Sequence, residues 1–191
     1  MRGPTQRCLI VGLLAWTGAW IYAKSYTYPI EQTLWLCRLT GYATLLLLFG
    51  SLSVTPLRRL ASRMGIKTKG LQSYRRSLGI TAFTSALVHA CISCTQYFGD
   101  APWFMPLLEP FLRMGVLTLG ILSVLWVTSF PKLVRAMRLR TWRELHWLAY
   151  AAGLTALLHV VLSPVAPIRE VLLASAVWLG FSMLRLIPRV R

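Results

Sequence analysis

Acidic residues are scarce in this chain: five Asp and Glu stand against 21 Lys and Arg in 191 residues. None of the five lies in the middle of a long apolar run. The chain therefore lacks the buried carboxylates with which ion- and proton-coupled carriers work at mid-membrane, and no inverted repeat or mid-membrane helix break is legible. No internal repeat or low-complexity tract is visible either, and the segments between apolar runs are too short for a soluble domain. Any nucleotide- or flavin-binding globular module must then be a separate protein. The net charge of +16 sits in these short connections rather than on one soluble face, which argues against nucleic acid as a partner.

What the chain has in quantity is apolar surface. With 56% hydrophobic and 12% aromatic residues, its composition is that of a multi-span membrane protein whose main partner is the lipid bilayer. Six stretches, at about residues 8–23, 34–54, 77–97, 112–130, 142–162 and 168–187, are each about long enough to cross ~30 Å of hydrocarbon as a helix. The expected fold is all-α, one transmembrane domain over 1–191. The first stretch follows Arg2 and Arg7 and is short enough to pass for a signal peptide. It has no clear small-x-small cleavage site, and Trp16, Trp20 and Tyr22 suit interfacial anchors, so it is read as a span. Basic residues crowd 55–76 and 131–143, while Lys24 with Glu31, Asp100 with Glu109, and Arg169 with Glu170 mark the alternate loops. The positive-inside rule makes the basic loops cytoplasmic, and an even number of spans leaves both termini inside.

Histidine is rarer than acid, with three in the chain. His89 is 13 residues beyond Arg76, about 20 Å of helical rise, and His159 is 17 residues beyond Trp142, about 25 Å. Both fall in the outer half at similar depth. Two neutral imidazoles facing each other across a bundle can hold an iron porphyrin between them. Ser85, Ala86 and Ala90 beside His89, and Thr155 and Ala156 beside His159, leave room for a flat macrocycle. The plainer use of each histidine is an interhelical hydrogen bond. His146 lies only four residues into its segment, near the cytoplasmic edge.

The segments SLSVTPLRR (51–59), RRSLGITAFTSALVH (75–89), MGVLTLGILSVLWVTS (114–129) and WRELHWLAYAAGLTALLH (142–159) together resemble the ferric-reductase-like transmembrane family over roughly 38–163. The likeness includes the order of histidines, a TP turn and an RR-x-LG helix start. Within the family they are most similar to the haem-binding membrane subunits of bacterial protein-methionine-sulfoxide reductase systems. The resemblance implies a multi-pass inner-membrane cytochrome with haem b. It would carry electrons from the quinone pool or a cytoplasmic flavin reductase to a periplasmic molybdopterin-containing methionine sulfoxide reductase, for repair of oxidised proteins. FMN is associated with such subunits. His89, His146 and His159 match the family's haem-associated histidines. The residues after His159, Val160, Val161 and Leu162, depart from the aromatic residues often found there.

Larger members of the family hold two stacked haems with two histidines on each of two helices. Here the inner level of the third segment offers Arg75 and Arg76 instead, so the expectation is one haem held by His89 and His159. His146 stays open between ligating a second haem, lining a quinone or flavin site, and packing. Arg75 and Arg76 suit haem propionates or a flavin phosphate, or simple anchoring at the cytoplasmic surface. Glu144 can accept a quinol proton or pair with Arg140. Cys91 and Cys94 form C-x-x-C after a histidine, the reverse of the C-x-x-C-H used for covalent haem, and Cys8 and Cys37 have no evident partner. Asp100, Glu109 and Glu170 give the outer loops negative charge on which an acceptor could dock. The competing functions are a stand-alone ferric or cupric reductase and, from another class, a haem-free six-helix transporter or scaffold.

Overall fold

The computed structural model describes residues 30–66, 71–94, 104, 108–164 and 166–185. These form seven helices: α1 Ile30–Arg63, α2 Leu71–Ser93, α3 Pro110–Val127, α4 Pro131–Ala136, α5 Leu139–Leu145, α6 Leu148–Val161 and α7 Ile168–Arg185. The expected span at 8–23, Asp100 and the tail from 186 lie outside the described residues. The all-α expectation holds, and the segments Leu34–Arg63 and Pro110–Val127 are long and apolar enough to cross a bilayer by length and composition.

Local chemistry sets the helix ends. Gly65, at φ 71°, closes α1 in a Schellman arrangement, with Ile66 N–H donating to Ala61 O at 2.9 Å and Gly65 N–H to Ser62 O at 3.2 Å. Proline occupies the first turn of both α3 and α4, where its missing N–H has no helical partner to lose. Two expectations need correction. The Thr55–Pro56 pair is no turn, because α1 runs through it to Arg63 with Pro56 fully buried. Unwinding there would strand several backbone groups, a larger loss than the one hydrogen bond a proline forgoes. The helix expected over 142–162 is also interrupted: α5 ends at Leu145, and Trp147, Ala149 and Tyr150 make i→i−3 backbone bonds before α6 proceeds.

The four central helices form two hairpins. α1 lies along α2 and α3 along α6; α7 packs on α1 and α6, and α2 touches α3. One apolar core joins them, with Leu45, Leu48, Phe49 and Leu52 from α1, Ala82, Phe83 and Ala86 from α2, Leu122 from α3, and Ala152 and Ala156 from α6. Phe83 stacks on Trp126 at 5.1 Å, and Trp178 of α7 sits on Phe49 at 5.5 Å. Large apolar residues such as Leu46, Val116, Leu154 and Leu172 remain outside this core, exposed as a lipid-facing surface requires.

Arg140 Nε donates to Glu144 Oε1 at 2.9 Å, an exposed i,i+4 pair and the plainer of the two roles expected for Glu144. Exposed pairs of this kind contribute about 0.3–0.5 kcal/mol. Glu144→Gln is therefore expected to leave thermal stability within about 0.5 kcal/mol of the parent, as checked by unfolding of the detergent-purified chain.

Candidate cofactor site between two histidines

His89 and His159 converge. Their ring centroids are 6.1 Å apart and their planes are 81° to one another. Each ring is held by the other helix of its own hairpin. His89 Nδ1 is 2.9 Å from the carbonyl oxygen of Cys37 on α1, and His159 Nδ1 is 2.6 Å from that of Phe111 on α3. A carbonyl can only accept, so both Nδ1 atoms carry the proton and both Nε2 atoms keep a free lone pair. This is the arrangement in which a second-shell carbonyl fixes the tautomer and aim of a metal-ligating imidazole.

The surroundings keep the rings in place. Thr40 Oγ1 donates to the carbonyls of Leu36 and Cys37 and lies 3.3 Å from His89 Nδ1. Ser85 Oγ, fully buried, donates to Thr40 O at 3.2 Å and ties α2 to α1. In the other hairpin Thr118 Oγ1 donates to Thr155 Oγ1 at 2.8 Å, and the Phe111 ring lies over His159 at 5.8 Å. Cys37 gains a role: its Sγ is 3.1 Å from Ser93 Oγ and 3.7 Å from His89 Nδ1. Cys91 and Cys94 are exposed free thiols.

The pair fits a metal held between two axial imidazoles. A metal–imidazole bond of about 2 Å and a nitrogen roughly 1 Å from its ring centre put two collinear rings about 6 Å apart, which is the observed separation. Among the described residues no group of three or more His, Cys, Asp and Glu gathers for a metal ion. A two-imidazole site therefore needs the remaining equatorial ligands from the bound group itself, as a porphyrin supplies them. α2 and α6, which carry the histidines, pack on each other far less closely than on their hairpin partners.

The other expected site residues lie elsewhere. Arg75 and Arg76 are 14 and 13 residues before His89 on α2, about 20 Å of rise, and are not brought to the histidine pair. Arg75 Nη1 donates to Thr55 Oγ1 at 3.4 Å, while Arg76 Nη2 donates to the Ser129 carbonyl. His146 joins this inner group: its Nδ1–H donates to Trp142 O at 3.0 Å, its ring lies on the Trp142 indole at 4.0 Å, and Arg75 is near enough to act on it electrostatically. Between this level and the histidine pair stands the packed core of Leu48, Leu52, Phe83, Leu122 and Ala152.

Sequence reading missed Cys37, Thr40, Gly41, Phe111, Gly115 and Thr118. Two of these act through a backbone carbonyl, two through a hydroxyl and two by having no side chain, and a carbonyl leaves no trace in residue identity. The glycines and threonines in apolar runs were the available signal, since small and hydroxyl residues mark helix contacts in membranes.

A family model described as the ferric reductase like transmembrane component matches residues 36–157. Among curated proteins, the protein-methionine-sulfoxide reductase heme-binding subunit MsrQ of Ralstonia nicotianae is 34% identical over 134 residues, covering 69% of this chain and 58% of that protein. The subunit of the same name from Rhodospirillum rubrum is 31% identical over 182 residues, covering 93% of this chain and 84% of that protein. For Xanthomonas axonopodis pv. citri the figures are 33% over 123 residues, 63% and 54%. The chain thus spans little more than half the length of the Ralstonia and Xanthomonas relatives.

Proposed function

This chain belongs to the ferric reductase like transmembrane component family, and on that premise we propose that it is the haem-binding membrane subunit of a protein-methionine-sulfoxide reductase system. The observation that carries the reading is the facing pair His89 and His159, 6.1 Å apart with both Nδ1 atoms tied to carbonyls. His89 and His159 would hold one haem b, which would supply a one-electron carrier. The chain's own work is to hold two imidazoles in fixed positions through the carbonyls of Cys37 and Phe111, which would keep reorganisation small for a redox group held between them. Apolar helix faces would exclude water, and a haem held by both histidines would be shielded from oxygen.

The six-span topology with both termini cytoplasmic puts the pair in the outer half of the bacterial inner membrane. Electrons leave there for a periplasmic molybdenum-cofactor reductase, the partner on which methionine sulfoxide is reduced. Arg75, Arg76 and His146 belong to the opposite, electron-entry end, where a quinol or a cytoplasmic flavin reductase delivers electrons. Guanidinium groups suit the phosphate of an FMN at that end. One haem per chain is favoured over two, because His146 has no second histidine opposite it among the described residues and packed side chains fill the level between.

The test is reoxidation of the dithionite-reduced, detergent-purified chain by the molybdenum reductase encoded in the same organism, with methionine sulfoxide present. With a catalytic amount of reductase, the haem band should decay fully only when the sulfoxide is also present. Decay with ferric citrate alone, and none with the reductase, would make the chain a stand-alone ferric reductase instead.

A further inference from the structure

The two hairpins build the histidine pair by the same construction. His89 reaches back to the carbonyl of Cys37, and four residues after Cys37 stands Gly41; His159 reaches back to the carbonyl of Phe111, and four residues after Phe111 stands Gly115. Each glycine faces its histidine closely. A Cβ on Gly41 would stand 3.2 Å from His89 Cε1 and 3.3 Å from Nδ1, and one on Gly115 would stand 3.0 Å from His159 Nδ1 and 3.1 Å from Cε1. The likeness continues inward along each helix. α1 reads G-x-x-T-L-x-x-L over 41–48, and α3 reads the same over 115–122. α2 reads A-x-x-S-A-L-x-H over 82–89, and α6 reads A-x-x-T-A-L-x-H over 152–159. Burial agrees at several of the pairs: Leu48 is 2% and Leu122 3% exposed, Ala82 and Ala152 are both at 0%, and Thr44 and Thr118 are both buried with Oγ1 2.9 and 2.8 Å from the carbonyl four residues back; it differs at Leu87, exposed at 45%, and Leu157, at 9%.

We infer that the cofactor cage is a duplicated half-site, in which Gly41 and Gly115 are the positioning residues that set the place and plane of the two axial imidazoles. The inference rests on the haem-ligating reading of His89 and His159. Each ring is confined on two sides, by a carbonyl that fixes Nδ1 and by a glycine whose missing side chain lets the ring lie against the partner helix. The rings are attached to different hairpins and their planes stand 81° apart, an orientation the two hairpins would impose on a haem held between them. Near-perpendicular imidazoles leave two iron d orbitals almost degenerate, which gives a low-spin ferric EPR signal of large g anisotropy.

The experiment compares wild type, Gly41→Ala, Gly115→Ala and the control Gly120→Ala, which has no neighbouring atom within 4 Å of its added Cβ. Hemin titration and EPR of the full chain in detergent are the readouts, with helicity and gel-filtration profile followed throughout. Gly41→Ala and Gly115→Ala are each expected to weaken hemin binding about tenfold, the low end for loss of second-shell support, and to shift the largest g value. Gly120→Ala should match wild type. Wild-type affinity and g values in both Gly41→Ala and Gly115→Ala would overturn the inference while leaving the haem reading intact. A wild-type chain that binds no hemin overturns the haem reading itself. A second measurement needs no variant: 15N-histidine spectra of the full chain grown without haem should give Nδ1-protonated tautomers for His89 and His159, and Nε2-protonated tautomers would remove the carbonyl half of the construction.

Discussion

His159→Ala is expected to abolish the low-spin haem spectrum of the purified chain, and His89→Ala to do the same. On the proposed reading each histidine would supply one of two protein ligands, so either change would remove half of the protein's hold on the haem. Loss of a second-shell partner alone costs 10–100-fold in metal affinity, and loss of a ligand should exceed the upper end of that range. His146→Ala should retain the spectrum, because His146 stacks on Trp142 in the turn between α5 and α6, across the packed core from the pair. Reduced-minus-oxidised spectra of the three variants, prepared in parallel, check the whole set. A full spectrum in His159→Ala with loss in His146→Ala would move the haem to the inner level.

The second large effect concerns the scaffold. Gly153→Ala is expected to destabilise the chain by about 2–3 kcal/mol, the upper part of the range for overpacking a filled core. Gly153 of α6 lies where α1 and α7 both press in: an added Cβ would be 3.2 Å from Leu52 Cδ1 and 2.7 Å from Trp178 Cη2, with Trp178 Cζ3 nearer still. The indole is rigid and rests on Phe49, so relief requires α7 to move away from α6. Gly180→Ala, which meets no atom within 4 Å, should be close to neutral. Thermal unfolding in detergent checks both. The pair Gly153→Ala with Trp178→Phe should recover part of the loss, as residues in direct contact couple, and no recovery would assign the cost to another neighbour.

How much of this was legible beforehand follows from what leaves a mark on residue type. His89 and His159 were legible because imidazole inside an apolar run has few explanations, and rise per residue placed both at one depth. That arithmetic needs helices that run straight: α2 does so from Arg76 to His89, whereas the count from Trp142 to His159 crosses the break between α5 and α6, and the two rings meet all the same. The break at His146–Trp147 was not legible: no proline or glycine marks it, and the bond that holds Trp142 Nε1 on the Thr128 carbonyl at 3.1 Å is made to a backbone atom. Pro56 misled for the opposite reason. Proline next to Thr marks a turn in water, whereas in apolar packing the helix keeps its remaining bonds. The duplication of the half-sites was hidden because the matching patterns are eight residues long and the intervals differ, with histidine and carbonyl 52 residues apart in one hairpin and 48 in the other. Only when the chain folds do Gly41 and Gly115 fall under equivalent rings.

The shared construction also bears on function. A relay needs its iron ligands to stay put between oxidation states, and two rings each wedged between a carbonyl and a glycine have little freedom to swing. The fixed positions come from backbone atoms of α1 and α3, so mutation of surrounding side chains should move the potential less than mutation of the two glycines.

The most direct test of the account is pyridine haemochrome quantitation of the wild-type chain, purified in detergent with haem supplied during growth and paired with its dithionite-minus-oxidised spectrum. The account requires one b-type haem per chain with the narrow bands of six-coordinate low-spin iron. A helical, monodisperse chain that stays colourless, even after hemin is added, would contradict it.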